Sequence, residues 1–118
     1  MKNSSIYSRS KVSFAGLKRA FETERSFRTQ LALCAIASAV LLYFRLQANA
    51  LALWFVVVAF AVSLELVNAA VEALGDRINT EQDAAIGAAK DISSAAAFIA
   101  NGACATLFAW MLLTHLTA

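Results

Sequence analysis

Three long apolar runs constrain this chain more than any other feature. Leu31 to Phe44 is apolar except for Ser38, and Leu51 to Leu64 forms a second run. A third covers 91–116, rich in alanine at its start and bulkier at its end, where Trp110 and His115 mark an interface. At about 1.5 Å per residue, segments over 30–48, 50–74 and 91–116 are each long enough for a hydrocarbon core of roughly 30 Å. Lipid offers the backbone no hydrogen bonds, so only helices or a closed barrel can cross it. The composition decides between them. Hydrophobic residues make up 60% of the chain, proline is absent and there are four glycines. That suits unbroken helices and not a barrel of alternating polarity and many turns. The expected fold is an all-α membrane protein with three transmembrane helices, one domain over residues 1–118. The link Gln47–Ala50 is so short that the first two spans must form an antiparallel hairpin.

Charge orients the spans. Seven of the ten Lys and Arg residues fall within the first 28 positions, Arg77 and Lys90 lie in the polar connection 75–90, and the C-terminus has none. The positive-inside rule puts the N-terminus and the 75–90 connection in the cytoplasm and the C-terminus on the far side. A basic N-terminal segment could also suggest a nucleic-acid-binding arm. An apolar run follows it at once, so it reads as an orientation signal or lipid contact, with no nucleic-acid partner. Within it, Phe14, Leu17 and Phe21 share one helical face, with Lys11, Lys18, Arg19, Glu22 and Arg25 on the polar side. A helix over about 11–28 is expected to lie in the membrane interface. The apolar run begins too late for a cleavable leader. Cys34 and Cys104 lack metal-site spacing and read as small thiols packed among apolar neighbours.

The second span carries the informative polar residues. At about 100° per residue, Glu65, Asn68, Glu72 and Asp76 point to about 0°, 300°, 340° and 20°, a stripe about 80° wide. Ala69 and Ala73 beside it leave room for a helix or ligand. Carboxylates at membrane depth cost a few kcal/mol each, so two on one line imply a return. That return can be a buried polar contact that fixes helix packing. It can equally be a proton relay, a cation path or a divalent-metal site, and periodicity does not choose among these. A second group stands at the start of the third span: Lys90 and Asp91, with Asp91, Ser94, Phe98 and Asn101 on one face. Glu24 precedes the first span on the same membrane side. Hard oxygen ligands near a lysine suit magnesium bound to phosphates. Lys90–Asp91 alone would be read as a solvated pair at a helix start. There is no Walker-type loop and no protein-kinase signature, so a nucleotide would be held some other way.

The segment Glu65-Leu-Val-Asn68-Ala-Ala-Val-Glu72-Ala-Leu-Gly-Asp76-Arg77 is similar to the E-x-x-N-S/T-A-I/V-E-x-x-x-D signature of the prokaryotic diacylglycerol kinase family. Ala88-Ala89-Lys90-Asp91-Ile92-Ser93-Ser94-Ala95-Ala96 resembles its A-K-D-x-x-S/A-A segment. Phe14-Ala15-Gly16-Leu17 and Glu24-Arg25-Ser26-Phe27-Arg28 match its amino-terminal pattern. The resemblance spans roughly residues 12–115 without a gap.

It implies an ATP-dependent lipid kinase of the bacterial inner membrane, with three spans and an amphipathic surface helix per chain. It further implies a homotrimer whose active sites are shared between neighbouring subunits. By match, Glu65 would take the proton from the lipid hydroxyl and Asn68 would orient it. Glu24 and Glu72 would bind Mg2+ bridging the ATP phosphates. Asp76, Glu81, Lys90 and Asp91 would contact the nucleotide, and Ser94 would sit near the lipid headgroup. The chain departs from the pattern at Thr29-Gln30, where the family often carries a carboxylate or imidazole, and at Gly75, in place of a bulkier residue. Val12 and Ser5 stand where members use a tyrosine and an arginine, which leaves Arg9 or Lys11 to reach the phosphates.

The expected activity is phosphorylation of 1,2-diacylglycerol to phosphatidic acid. Undecaprenol kinase is the alternative, although Asp76-Arg77-Ile78 followed by Glu81 looks more like the diacylglycerol type. From another class, the same carboxylates would suit a non-enzymatic cation or proton conductor, which would not need Lys90–Asp91.

Overall fold

The computed structural model describes residues 5–78 and 83–117. They form four helices: α1 (Ile6–Thr23), α2 (Arg25–Tyr43), α3 (Ala48–Ile78) and α4 (Ala84–Thr117). The last three are long and apolar enough to cross a membrane. Many of their large apolar side chains face outward, among them Phe60, Ile92 and Ile99. Outward-facing apolar surface on this scale suits lipid rather than water. The chain is a multi-pass membrane protein.

α1 starts at Ser5, whose hydroxyl accepts from the Ser8 N–H at 3.2 Å, an N-cap bond. It ends at Glu24, a single residue of extended backbone. The Arg28 guanidinium donates to the carbonyls of Phe21 at 2.7 Å and Glu22 at 3.2 Å, closing the end of α1 from within the next helix. The boundaries therefore differ from the surface helix expected over 11–28. The helix begins earlier, at Ile6, and ends five residues sooner, at Thr23, and Arg25 and Arg28 belong to the first span. None of the residues of α1 is buried.

α2 also stops early. Arg45 adopts a left-handed φ of 56°. The Leu46 N–H bonds back to the Leu41 carbonyl at 3.3 Å and the Arg45 N–H to Leu42 at 3.1 Å. This pair of bonds is the Schellman end of a helix. Leu41 and Leu46, which make the apolar contact such ends favour, both belong to the core with Trp54, Ala61, Cys104 and Met111. Trp54 donates its indole N–H to Ser38 at 2.9 Å, so the one polar interruption of the first run meets the one polar atom of a buried indole.

The connection expected over 75–90 is mostly helical. α3 runs on to Ile78 and α4 starts at Ala84. The Asp83 carboxylate caps α4 by accepting from the N–H groups of Ala85 at 2.9 Å and Ile86 at 3.1 Å. Gly75 allows the two helices to approach closely there: a Cβ on it would lie 3.1 Å from the Ile86 side chain and 3.5 Å from that of Lys90. By residue count α3 is about 46 Å long, more than a hydrocarbon core requires, so the α3–α4 hairpin stands clear of its apolar segment. Among its described polar residues, Asp76, Arg77 and Lys90 lie on helices and not in a loop.

Candidate active site

α3 carries its polar line from buried to exposed. Glu65 is 6% exposed, Asn68 is half-buried, and Glu72 and Asp76 are exposed. Elements on either side supply partners. α2 runs antiparallel to α3, which sets Ser26 beside Glu65 and, one turn on, Gln30 beside Ala61. Ser26 Oγ donates to Glu65 Oε2 over a long 3.4 Å. Gln30 Nε2 donates to the Ala61 carbonyl at 3.0 Å and to Asn101 Oδ1 of α4 at 2.8 Å. One buried amide thus ties all three spans. Ser93 Oγ donates to Asn68 Oδ1 at 2.7 Å, which turns the amide nitrogen of Asn68 away from Ser93.

Ser26, Glu65, Asn68, Glu72 and Asn101 line a cleft of about 340 Å³. Glu24 enters it from the break between α1 and α2, Glu65, Asn68 and Glu72 from α3, and Ser94 and Asn101 from α4. Most of the expected site is therefore one place. Ala69 lines it as the spacing anticipated; Ala73 does not. Asp76 does not line the cleft. Its carboxylate pairs with the Lys90 ammonium further along the hairpin. Asp91 is exposed and outside the cleft, one turn nearer the tip than Ser94. Arg9 and Lys11 remain on α1 and do not line it. Glu81 lies outside the described residues.

A second space opens on the other side of Glu65. This groove, of about 740 Å³, is lined by Arg25, Ser26, Gln30, Glu65 and Asn101 at its polar end and continues between Leu33, Cys34, Trp54, Cys104 and Phe108. Arg25 and Gln30 belong to the groove alone, whereas Ser26, Glu65 and Asn101 line both spaces. Glu65 stands where a polar cleft meets an apolar groove. Both cysteines are free thiols, as their sequence context indicated.

Ser26, Gln30 and Ser93 hold the site without having been singled out as site residues. A signal for the first two was present: a polar pair four apart at the start of an apolar span, on the face of buried Phe27. Ser93 was hidden by its neighbour, since Ser93 and Ser94 differ only by the 100° that separates a bond to Asn68 from a place in the cleft.

Fold and site define a class: a multi-pass helical membrane protein with a carboxylate-lined cleft at one end of its spans, opening on an apolar groove. Residues 11–113 match the family model for prokaryotic diacylglycerol kinase. The chain is 39% identical over 90 residues to a diacylglycerol kinase of Haemophilus influenzae, covering 76% of each chain. It is 34% identical over 101 residues to a diacylglycerol kinase of Pseudomonas aeruginosa, covering 86% of this chain and 82% of the relative. The chain belongs to the prokaryotic diacylglycerol kinase family.

Proposed function

We propose that this protein transfers the γ-phosphoryl group of ATP to the primary hydroxyl of 1,2-diacylglycerol, giving phosphatidic acid and ADP. The observation that carries the reading is the position of Glu65, buried at the junction of the polar cleft and the apolar groove. A membrane alcohol with long chains needs such a junction: chains in the groove, hydroxyl at the carboxylate, phosphates in the cleft.

In the step itself the hydroxyl oxygen bonds to the γ-phosphorus, the bond from that phosphorus to the ADP oxygen breaks, and the hydroxyl proton passes to Glu65. Phosphoryl transfer demands positioning and charge neutralisation more than covalent help. Asn68, with its oxygen held by Ser93, has amide N–H groups to orient the carboxylate or the alcohol. Ser94, on the cleft wall, suits the headgroup. Asp76, Lys90 and Asp91 lie along the α3–α4 hairpin, which together with Glu81 would receive the nucleotide.

Mg2+ fits the donor set. Among the described residues no three His, Cys, Asp or Glu side chains form a cage. Glu24 and Glu72 instead enter one cleft as separate carboxylates. Magnesium is commonly held by one or two carboxylates with water and substrate phosphates completing its shell. Glu24 and Glu72 would hold it, and it would neutralise charge on the phosphates.

The cleft is open at its side, with Phe98 78% exposed beside Glu72 and Ser94. This supports an assembly in which a neighbouring copy covers it, a homotrimer with shared sites. α1, with Phe14, Leu17 and Phe21 outward and basic residues beside them, suits a surface helix on the cytoplasmic leaflet of a bacterial inner membrane. The C-terminus then lies in the periplasm.

The test is transfer of labelled γ-phosphate from Mg-ATP to dioleoylglycerol by purified protein in mixed micelles. Transfer is expected. Faster transfer to a polyprenol would select undecaprenol kinase, and no transfer to any lipid alcohol would reject kinase activity in favour of a conductor.

A further inference from the structure

Cys34 and Cys104 are the only cysteines of the chain, and the proposed reaction uses neither. α2 and α4 both run antiparallel to α3, so they are parallel to each other, and their contacts fix the register level by level. At one level Gln30 of α2 donates to Asn101 of α4 at 2.8 Å and to the Ala61 carbonyl of α3 at 3.0 Å. Further along, Ser38 of α2 accepts from Trp54 of α3 at 2.9 Å, and Trp54 packs on Phe108 of α4 with ring centroids 5.9 Å apart. Cys34 lies four residues from Gln30 and four from Ser38; Cys104 lies three from Asn101 and four from Phe108. Residues three or four apart share a helix face. The two cysteines therefore occupy the level between these contacts, on faces that meet on either side of it. The Cys104 thiol is directed at the Val57 carbonyl at 3.7 Å, and Val57 likewise falls between Ala61 and Trp54. Both cysteines line the apolar groove, close enough for a charge on one to act on the other, and both are free.

We propose that Cys34 and Cys104 are a redox pair whose disulfide ties α2 to α4 and closes the groove to lipid chains. The closure rests on the kinase reading above, in which the groove holds the chains of the substrate; the bond itself does not. Gln30 and Asn101 span the space between the two helices with a pair of long amide side chains, and two cysteines are shorter. A disulfide holds its Cα atoms about 4.4–6.8 Å apart, so α2 must draw in towards α4. With each Cα about 2.3 Å from its axis, the joined helices would stand about 9–11 Å apart, little more than the roughly 8–10 Å of close-packed pairs. No width is left between them for an acyl chain. The groove also selects the oxidant class. An apolar hydroperoxide, the kind that forms on lipid chains, enters where lipid chains enter. Cys34 is half-buried and Cys104 buried, so the Cys34 sulfur makes the first attack. The O–O bond breaks, leaving a sulfenic acid on Cys34 and an alcohol. The Cys104 sulfur then bonds to the Cys34 sulfur, the S–O bond breaks, and the hydroxyl leaves as water with the second thiol proton. The two thiols lose two electrons and two protons, and the hydroperoxide takes up both.

The experiment treats purified protein in mixed micelles with cumene hydroperoxide, with Cys34→Ser and Cys104→Ala variants alongside. Peptide masses read the bond, and transfer from Mg-ATP to dioleoylglycerol reads the groove. In the wild type the two cysteine peptides should join within one chain. Its kcat/KM for the lipid should fall on the order of 10- to 100-fold, as when binding elements are displaced. Dithiothreitol should reverse both changes. Each variant, measured against its own untreated rate, should keep that rate through the treatment. Thiols that stay free, or a bridge between two chains on a non-reducing gel, overturn the pairing. A bridge within the chain that leaves kcat/KM unchanged overturns the closure. So does an equal loss in the variants, since the damage then lies elsewhere. An untreated wild type that phosphorylates no lipid overturns the kinase reading and the closure with it, while the masses still decide the pairing.

Discussion

The two ends of α3 are built on different principles. From Ala48 to Ala61 the helix is held by apolar packing: Trp54 and Ala61 bury against Leu41, Leu46, Cys104 and Met111. Beyond Ala61 its buried residues are Glu65 and Gly75, a carboxylate and a residue without a side chain. There the helices are joined by polar ties: Gln30 to Ala61 and Asn101, Ser93 to Asn68, Lys90 to Asp76. Close packing fills space, and a site must leave space unfilled. The packed end holds the spans together, which frees the cleft end to stay open and polar. Substitutions at the cleft end should therefore act on activity more than on stability, and those at the packed end the reverse.

The largest effect is expected at Glu65. Glu65→Gln keeps size and polarity but removes the proton acceptor, so phosphotransfer should fall about 100- to 10,000-fold, the range for a general base. Binding of Mg-ATP and the thermal unfolding midpoint in detergent should stay near wild type. Loss of nucleotide binding together with turnover would show that Glu65 is not the base. Leu41→Ala makes the opposite case. Leu41 is 0% exposed, in the core and away from both cleft and groove. The truncation should cost about 3 kcal/mol in unfolding free energy, with kcat per folded molecule retained below the lowered transition. A variant of normal stability and poor turnover would break the division between the two ends.

That division was only partly legible in the sequence. Period and spacing were enough to place Glu65, Asn68 and Glu72 on one wall, because residues on one helix keep a fixed angular relation whatever packs against them. Trp54 could not be matched to Ser38 from the sequence, since that pairing depends on how α2 and α3 align in register. The same holds for Gln30, whose departure from the family pattern marked it as a difference and gave no hint that it ties three helices. The stretch 75–90 reads as a connection because it is polar. Polarity reports solvent exposure, and an exposed helix capped by Asp83 is as polar as a loop. The break at Glu24 had no glycine or proline to announce it; it is held by Arg28 reaching back, a contact between two helices.

Glu72 sharpens the comparison from the cleft side. It is exposed and donates nothing to packing, so Glu72→Gln should leave unfolding unchanged. Its effect should appear in magnesium-dependent ATP binding, weakened on the order of 10- to 100-fold as for perturbed metal sites. Titration of ATP with and without Mg2+ by calorimetry is the measurement. A variant whose magnesium dependence matches wild type would remove Glu72 from the ligand set and leave Glu24 without its partner across the cleft.

The smallest expected effect is at the turn that closes the packed end. Arg45 holds a left-handed backbone conformation at φ 56°, which disfavours any residue with a Cβ by about 1–2 kcal/mol relative to ordinary helical backbone. Glycine adopts it without that penalty, although its greater freedom in the unfolded chain returns part of the gain. Arg45→Gly should therefore raise stability by up to about 1 kcal/mol, read as a higher unfolding midpoint in detergent. The Leu46–Leu41 bond and contact that finish the Schellman end depend on backbone and leucine, so they should survive the change. A lower midpoint would mean that the guanidinium, by anchoring the turn at the lipid headgroups, holds this end more firmly than its backbone strain loosens it. The packed end would then also rely on a polar contact, made with lipid instead of with another helix.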